Sequence, residues 1–230
     1  MLLTAHSGSD ATPNNSLEYI DKMIDYNVDC LEIDVRRAQN GQLYLSHDTI
    51  YSPESIGCLL DLDTAFKYIA KRSSKIKINC DLKEKGLEAE VQWTAEKREV
   101  FDQVIFSGTV EPSHLSMWDR DKIFYNIENC LPNIYTVKEL KKAHFDVLHY
   151  FCRKYKLHTL NLYYGYCSKE WIELCHQNDL QLSVWTVDNL EMIQAFAQQD
   201  LYNVTTKRAI EYIEKKGVGQ QIGQSTKRTQ

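Results

Sequence analysis

The chain has 230 residues, 43% of them hydrophobic and 26% charged, and a formal net charge of −5. That is the composition of a globular domain with a sizeable core, and the acidic balance, with no dense Lys/Arg stripe, excludes a general grip on nucleic acid. No apolar run reaches the roughly 18 residues of a membrane span and the first residues carry no secretory signal, so a cytoplasmic protein without stable membrane anchoring is expected.

Met1 to Ala5 is a short apolar run leading into the polar loop His6-Ser7-Gly8-Ser9-Asp10. Ser16 to Tyr26 has helical spacing, with Leu17, Ile20, Met23 and Ile24 on one face. In Cys30 to Val35, Leu31, Ile33 and Val35 alternate with Glu32 and Asp34, the period of a strand. Asn40-Gly41 signals a turn, so the chain makes a small excursion through Leu43-Tyr44-Leu45 to His47. Asp61 to Arg72 is helical, and Lys75 to Lys83 is a strand whose polar face carries Asn79, Asp81 and Lys83. Helical composition from Leu87 to Val100 is followed by a strand, Gln103 to Ser107, and a short helix is expected at Pro112 to Asp119. Ile123 to Ile127 is the next strand. Thr136-Val137-Lys138-Glu139 has the form of a capping box opening a long helix, with Val137, Leu140, His144, Val147, Leu148 and Phe151 inward. Strands at His158 to Leu162, Gln181 to Thr186 and Asn203 to Thr206 alternate with helices after Ser168, after Asn189 and over Lys207 to Lys216.

Eight main strands, each followed by a helical segment, predict a single-domain α/β fold, a (β/α)8 TIM-type barrel over residues 1–216, with residues 217–230 as a tail that has little to pack. A doubly wound open sheet is the alternative, but it would want a Gly-rich phosphate turn after the first strand. The seven cysteines include no Cys-x-x-Cys pair and fall mostly on apolar segments, so buried reduced thiols are expected.

In such a barrel the C-terminal strand ends share one mouth. His6 follows the first strand, Glu32 and Asp34 end the second, His47 follows its excursion, and Asp81 and Lys83 end the third. Two carboxylates on one face of a buried strand repel each other and lose hydration unless a cation compensates. Three carboxylates suit a hard divalent cation, Mg2+ or Ca2+, better than zinc. Two histidines can serve as general acid and base, and the lysine favours an anion, a set that fits a phosphoester better than a peptide or glycoside. Asn126 and Glu128 are possible further polar contacts. The other histidines are expected to be structural.

At these residues the chain resembles the glycerophosphodiester phosphodiesterase family, whose members are (β/α)8 barrels. The family's His-Arg-Gly is met by His6-Ser7-Gly8, its Pro-Glu-Asn-Thr by Pro13-Asn14-Asn15-Ser16 and its Glu-x-Asp-Val by Glu32-Ile33-Asp34-Val35. Its His-Asp is His47-Asp48, its Glu-x-Lys is Asp81-Leu82-Lys83, and its Val-Trp-Thr segment is Val184-Trp185-Thr186. The resemblance implies hydrolysis of a small-molecule glycerophosphodiester to glycerol 3-phosphate and an alcohol. It makes Glu32, Asp34 and Asp81 the ligands of a divalent cation, His6 and His47 the acid and base, and Lys83, Ser7 and Trp185 the substrate contacts. Ser7 stands where the family has Arg. A missing charged hydrogen bond costs roughly 1.5–3 kcal/mol, about 10- to 150-fold in rate if felt wholly in the transition state. Only residues 48–60 separate His47 from the next helix, which implies a more open pocket. Two other readings compete: a barrel that keeps fold and metal but serves as a phosphodiester- or metal-binding module, and a phospholipase D-like enzyme acting on lysophospholipid or sphingomyelin.

Overall fold

The computed structural model describes residues 1–52 and 56–226. Its strands are β1 (Leu2–Ala5), β2 (Cys30–Arg37), β3 (Leu43–Leu45), β4 (Lys77–Leu82), β5 (Val104–Gly108), β6 (Phe124–Asn126), β7 (Thr159–Tyr163), β8 (Gln181–Trp185) and β9 (Asn203–Thr206). Their order in the sheet is β5-β4-β2-β1-β9-β8-β7-β6. The pairs along this path are parallel, and a parallel bridge from Phe106 to Ile123 brings the two ends together. The result is the expected (β/α)8 barrel, nearly closed. The antiparallel strand β3 lies outside it and pairs with the end of β2, Val35 facing Leu45 and Arg37 facing Leu43. This pairing carries β2 past Val35, where the apolar alternation stops, to Arg37.

The helices are α1 (Leu17–Asp25), α2 (Leu62–Arg72), α3 (Glu88–Lys97), α4 (Lys142–Tyr155), α5 (Lys169–Gln177), α6 (Leu190–Gln198) and α7 (Ala209–Thr226). Side chains satisfy backbone N–H groups at several starts: Ser16 accepts from Tyr19, Asp61 from Thr64, Ser168 from Trp171 and Asn189 from Met192. Residues 53–55, within the short 48–60 segment, lie outside the described residues. So do residues 227–230, the end of the expected tail.

Two expectations are corrected. The capping-box pattern at Thr136 does not open a helix: Ile134–Thr136 is a single 3-10 turn, and α4 begins only at Lys142. There the His144 ring accepts the Lys141 N–H at 3.0 Å, and the buried residues are Phe145, Leu148 and Cys152, with Val147 exposed. The short helix expected at Pro112 to Asp119 is one 3-10 turn, Pro112–His114. The apolar outer faces of the strands and the inner faces of the helices form one continuous core. The seven thiols are free, with Cys30, Cys80, Cys152 and Cys175 buried and Cys58 exposed. Among the described residues no helix is long and apolar enough to cross a membrane.

Candidate active site

Parallel pairing between β2 and β4 sets Glu32 beside Asn79 and Asp34 beside Asp81. Since side chains alternate along a strand, these four share the barrel-interior face while Leu31, Ile33 and Val35 pack outward. Ligand oxygens of Glu32, Asp34 and Asp81 lie within 4.8 Å of one another. Lys83 answers them from the end of β4, its Nζ 2.8 Å from Asp34 Oδ1 and donating to Asp81 Oδ2 at 2.6 Å.

The electrostatics follow from burial. Glu32 and Asp34 are 3% and 2% exposed. Desolvation, then the charges of Asp34 and Asp81, push the Glu32 carboxyl well above its ordinary value. Burial acts on Asp34 in the same sense, but the charge and hydrogen bond of Lys83 and the amide of Asn15 outweigh it, holding that carboxyl below its ordinary range. Burial opposes the Lys83 ammonium, yet Asp81 and Asp34 raise it further above the ordinary lysine value. Three carboxylates thus face one ammonium, and the unneutralised charge is felt at Glu32. The donor set is all oxygen and anionic, so it fits a hard divalent cation.

The ligands are held from behind by Ser7, expected from the resemblance to contact substrate, and by Asn15 and Tyr19, which sequence reasoning did not assign. The Ser7 N–H donates to Glu32 Oε2 at 2.7 Å. Ser7 itself is 1% exposed and its hydroxyl accepts the Asn15 N–H at 2.7 Å, so its side chain does not line the cavity. Asn15, in the left-handed region at φ 52, clamps Asp34 twice: its Nδ2 donates to Oδ2 at 2.8 Å and its Oδ1 accepts the Asp34 N–H at 3.0 Å. The buried Tyr19 hydroxyl donates to the carbonyl of Ala5 at 2.6 Å and accepts the Glu32 N–H at 3.1 Å, fastening β2 to β1. Asn-Asn ahead of a Ser cap was the available signal for Asn15, because Asn tolerates left-handed backbone.

A cavity of about 430 Å³ opens over this cluster. His6, His47, Glu32, Asp81, Lys83 and Trp185 all line it, so most of the predicted site converges. Nδ1 of His6 lies 3.0 Å from the Ser7 carbonyl oxygen and 3.8 Å from Glu32 Oε2. A carbonyl oxygen only accepts, so Nδ1 carries the hydrogen of that bond. The His47 ring, held at the outer rim by β3, has Nδ1 2.9 Å from Asp48 Oδ1 and is 68% exposed. The rest of the lining is polar, with Asn79 beside Glu32 and with Ser107, Asn126, Glu128, Asn161 and Thr205. Asn126 donates to Glu128 Oε1 at 2.8 Å, so this pair does reach the site. His114, expected to be structural, pairs with buried Glu88, its Nδ1 3.1 Å from Oε2.

No family model matches the chain, and no curated protein matches it. Solved structures do. A glycerophosphodiester phosphodiesterase from Parabacteroides distasonis aligns with a TM-score of 0.72 at 14% identity, covering 94% of this chain and 98% of that one. One from Agrobacterium tumefaciens gives 0.70 at 14% identity over 93% and 99% of the two chains. A phosphodiesterase from Oleispira antarctica, solved in complex with its product sn-glycerol-3-phosphate, gives 0.67 at 16% identity over 92% and 95%. Over these spans the chain shares the fold of those proteins.

Proposed function

We propose that the chain is a metal-dependent hydrolase of glycerophosphodiesters, yielding glycerol 3-phosphate and an alcohol. One observation carries the reading: Glu32 and Asp81 line a cavity with His6, His47 and Lys83, and their ligand oxygens lie within 4.8 Å of each other and of the buried Asp34 carboxylate beside them. The likeness to solved phosphodiesterases, one holding glycerol 3-phosphate as product, supports it. Glu32, Asp34 and Asp81 would hold Mg2+ or Ca2+, which supplies Lewis-acid polarisation of the phosphate when bound.

The chain's own residues do the rest. Lys83 pairs with a phosphate oxygen, and Trp185 walls the pocket. One imidazole takes the proton from the attacking water, or from a glycerol hydroxyl whose cyclic phosphate water then opens to glycerol 3-phosphate, as the attacking oxygen bonds to phosphorus. The other gives a proton to the alcohol oxygen as its bond to phosphorus breaks. Ser7 serves from behind, through its N–H on Glu32 and through Asn15. Phosphate therefore meets one ammonium and no guanidinium at this end of the cavity, and a modest turnover is expected.

His6→Ala and His47→Ala test the assignment. Each is expected to lower glycerol 3-phosphate release by about 100- to 10,000-fold. Either variant keeping the wild-type rate would remove that histidine from the mechanism. Metal binding with no turnover of any phosphodiester by the wild type would favour the binding-module reading.

A further inference from the structure

His47 stands at the rim of the cavity with little to hold its ring. The imidazole is 68% exposed, and the carboxylate that it meets, on Asp48, is 93% exposed. Two groups so open to water gain little from each other. The placement of the ring therefore comes from the main chain that bears it. The Ser46 N–H donates to the Asp34 carbonyl oxygen at 3.0 Å, one step beyond the Val35–Leu45 pair of the β2–β3 ladder, and the Ser46 hydroxyl donates to the Asp48 carbonyl oxygen at 2.7 Å.

The next link is a side chain. Arg36 lies two residues beyond Asp34 on the same face of β2, and its Nε donates to the His47 carbonyl oxygen at 3.0 Å. Its Nη1 lies 4.0 Å from Glu84 Oε2, in a side chain that is only 17% exposed. Glu84, which follows Lys83, in turn accepts the Arg37 N–H on Oε1 at 2.7 Å. A guanidinium is a rigid planar fork of five N–H donors, so a carboxylate beside one arm helps to fix where the Nε–H points. The Arg36 charge thus has a counter-ion in Glu84, and the hydrogen bond to His47 is the contact through which Arg36 reaches the site.

We propose that Arg36 is a positioning residue: it holds the main chain of His47 so that the imidazole faces the cavity shared with His6, Glu32, Asp81 and Lys83, and it does not itself touch phosphate. Misplacing a reacting group by about 1 Å costs on the order of 100-fold in rate, so one hydrogen bond to the main chain of an exposed histidine has a large effect. The contribution to rate rests on the function proposed above, while the hold on His47 does not.

Kinetics on glycerophosphoethanolamine with Mg2+ or Ca2+ test this. Arg36→Ala should lower kcat by about 10- to 100-fold with KM little changed. Arg36→Gln should recover most of that loss, because its Nε2 lies as many bonds from the main chain as the arginine Nε and still donates, without charge. Adding Arg36→Ala to His47→Ala should cost nothing further. An arginine acting through its charge on phosphate would make Arg36→Gln as poor as Arg36→Ala and would add its loss to that of His47→Ala. Either result overturns the proposal, as does wild-type rate in Arg36→Ala. The ring resonances of His47, followed by NMR without substrate, separate this from the phosphodiesterase reading. They should shift or broaden in Arg36→Ala and return in Arg36→Gln, while those of His6 stay in place. His47 resonances unmoved by Arg36→Ala overturn the proposal whether or not a diester is cleaved. Moved resonances in a protein whose wild type turns over no diester would overturn the phosphodiesterase reading and leave the hold on His47 standing.

Discussion

Glu32 is the residue at which the electrostatic cost of the site collects. Its carboxyl titrates above its unfolded value because burial and two neighbouring carboxylates disfavour the charge. The folded state therefore binds a proton that the unfolded chain has already released, and this residue's contribution to stability falls as pH rises from the unfolded value through the folded one. Asp34 contributes in the opposite sense: with its carboxyl held low by Lys83 and Asn15, it adds stability above the unfolded value that is lost as pH falls through the folded one. In metal-free protein, Glu32→Gln should melt higher than wild type at pH 8, and the gain should vanish near pH 4; Gln keeps an oxygen for the Ser7 N–H. Thermal melts in EDTA across that range check it, and a gain independent of pH would contradict the assigned cause. The carboxylates and histidines were legible in the sequence because each is an ionisable residue at the end of an apolar strand. Asn15 and Tyr19 were not, since their work is done on the backbone and carboxylate of residues more than ten positions away, and no local pattern encodes that reach.

At the scale of elements, the close approach of β5 to β4 decides where Asp81 sits. Gly108 ends β5 at φ +77, and a Cβ there would lie 1.9 Å from Asp81 Oδ1 and 2.5 Å from the Leu82 carbonyl oxygen. Gly108→Ala should therefore cost about 2–4 kcal/mol, combining left-handed strain with a collision against backbone. Gly41, at φ +81 with nothing within 4 Å, bears only the strain, and Gly41→Ala should cost about 1–2 kcal/mol. Urea denaturation of the two variants measures the difference, and equal losses would mean that the space beside Asp81 yields freely. The alternation of apolar and polar residues made the strands readable, and Asn40-Gly41 made the β2–β3 excursion readable. The start of α4 was not, because the chain after Thr136 is not helical and is tied instead by the Tyr166 hydroxyl, which donates to the carbonyls of Tyr135 and Val137. Nor was the polar row Asn126, Asn161, Ser183 and Asn203, which sequential pairing of β6, β7, β8 and β9 brings into register. A polar residue between two apolar ones, as in Leu160-Asn161-Leu162, was its one signal.

At the scale of the molecule, the barrel gathers into one mouth residues that lie far apart along the chain, from His6 to Thr205. Solved phosphodiesterases share this architecture at 14–16% identity. Such a fold is specified by eight repeats of strand and helix patterning, which many sequences satisfy, whereas the site needs a few residue types at particular strand ends. The central claim joins these two levels: the carboxylates of β2 and β4 hold a divalent cation where a glycerophosphodiester is cleaved. Phosphorus NMR of glycerophosphoethanolamine incubated with the protein tests it in one tube. The diester resonance should convert to that of sn-glycerol 3-phosphate with Mg2+ or Ca2+ present, stop on addition of EDTA, and stay unchanged with Glu32→Ala. Conversion that continues after chelation or in the variant, or a diester signal that the metal-loaded wild type leaves intact, would contradict the account.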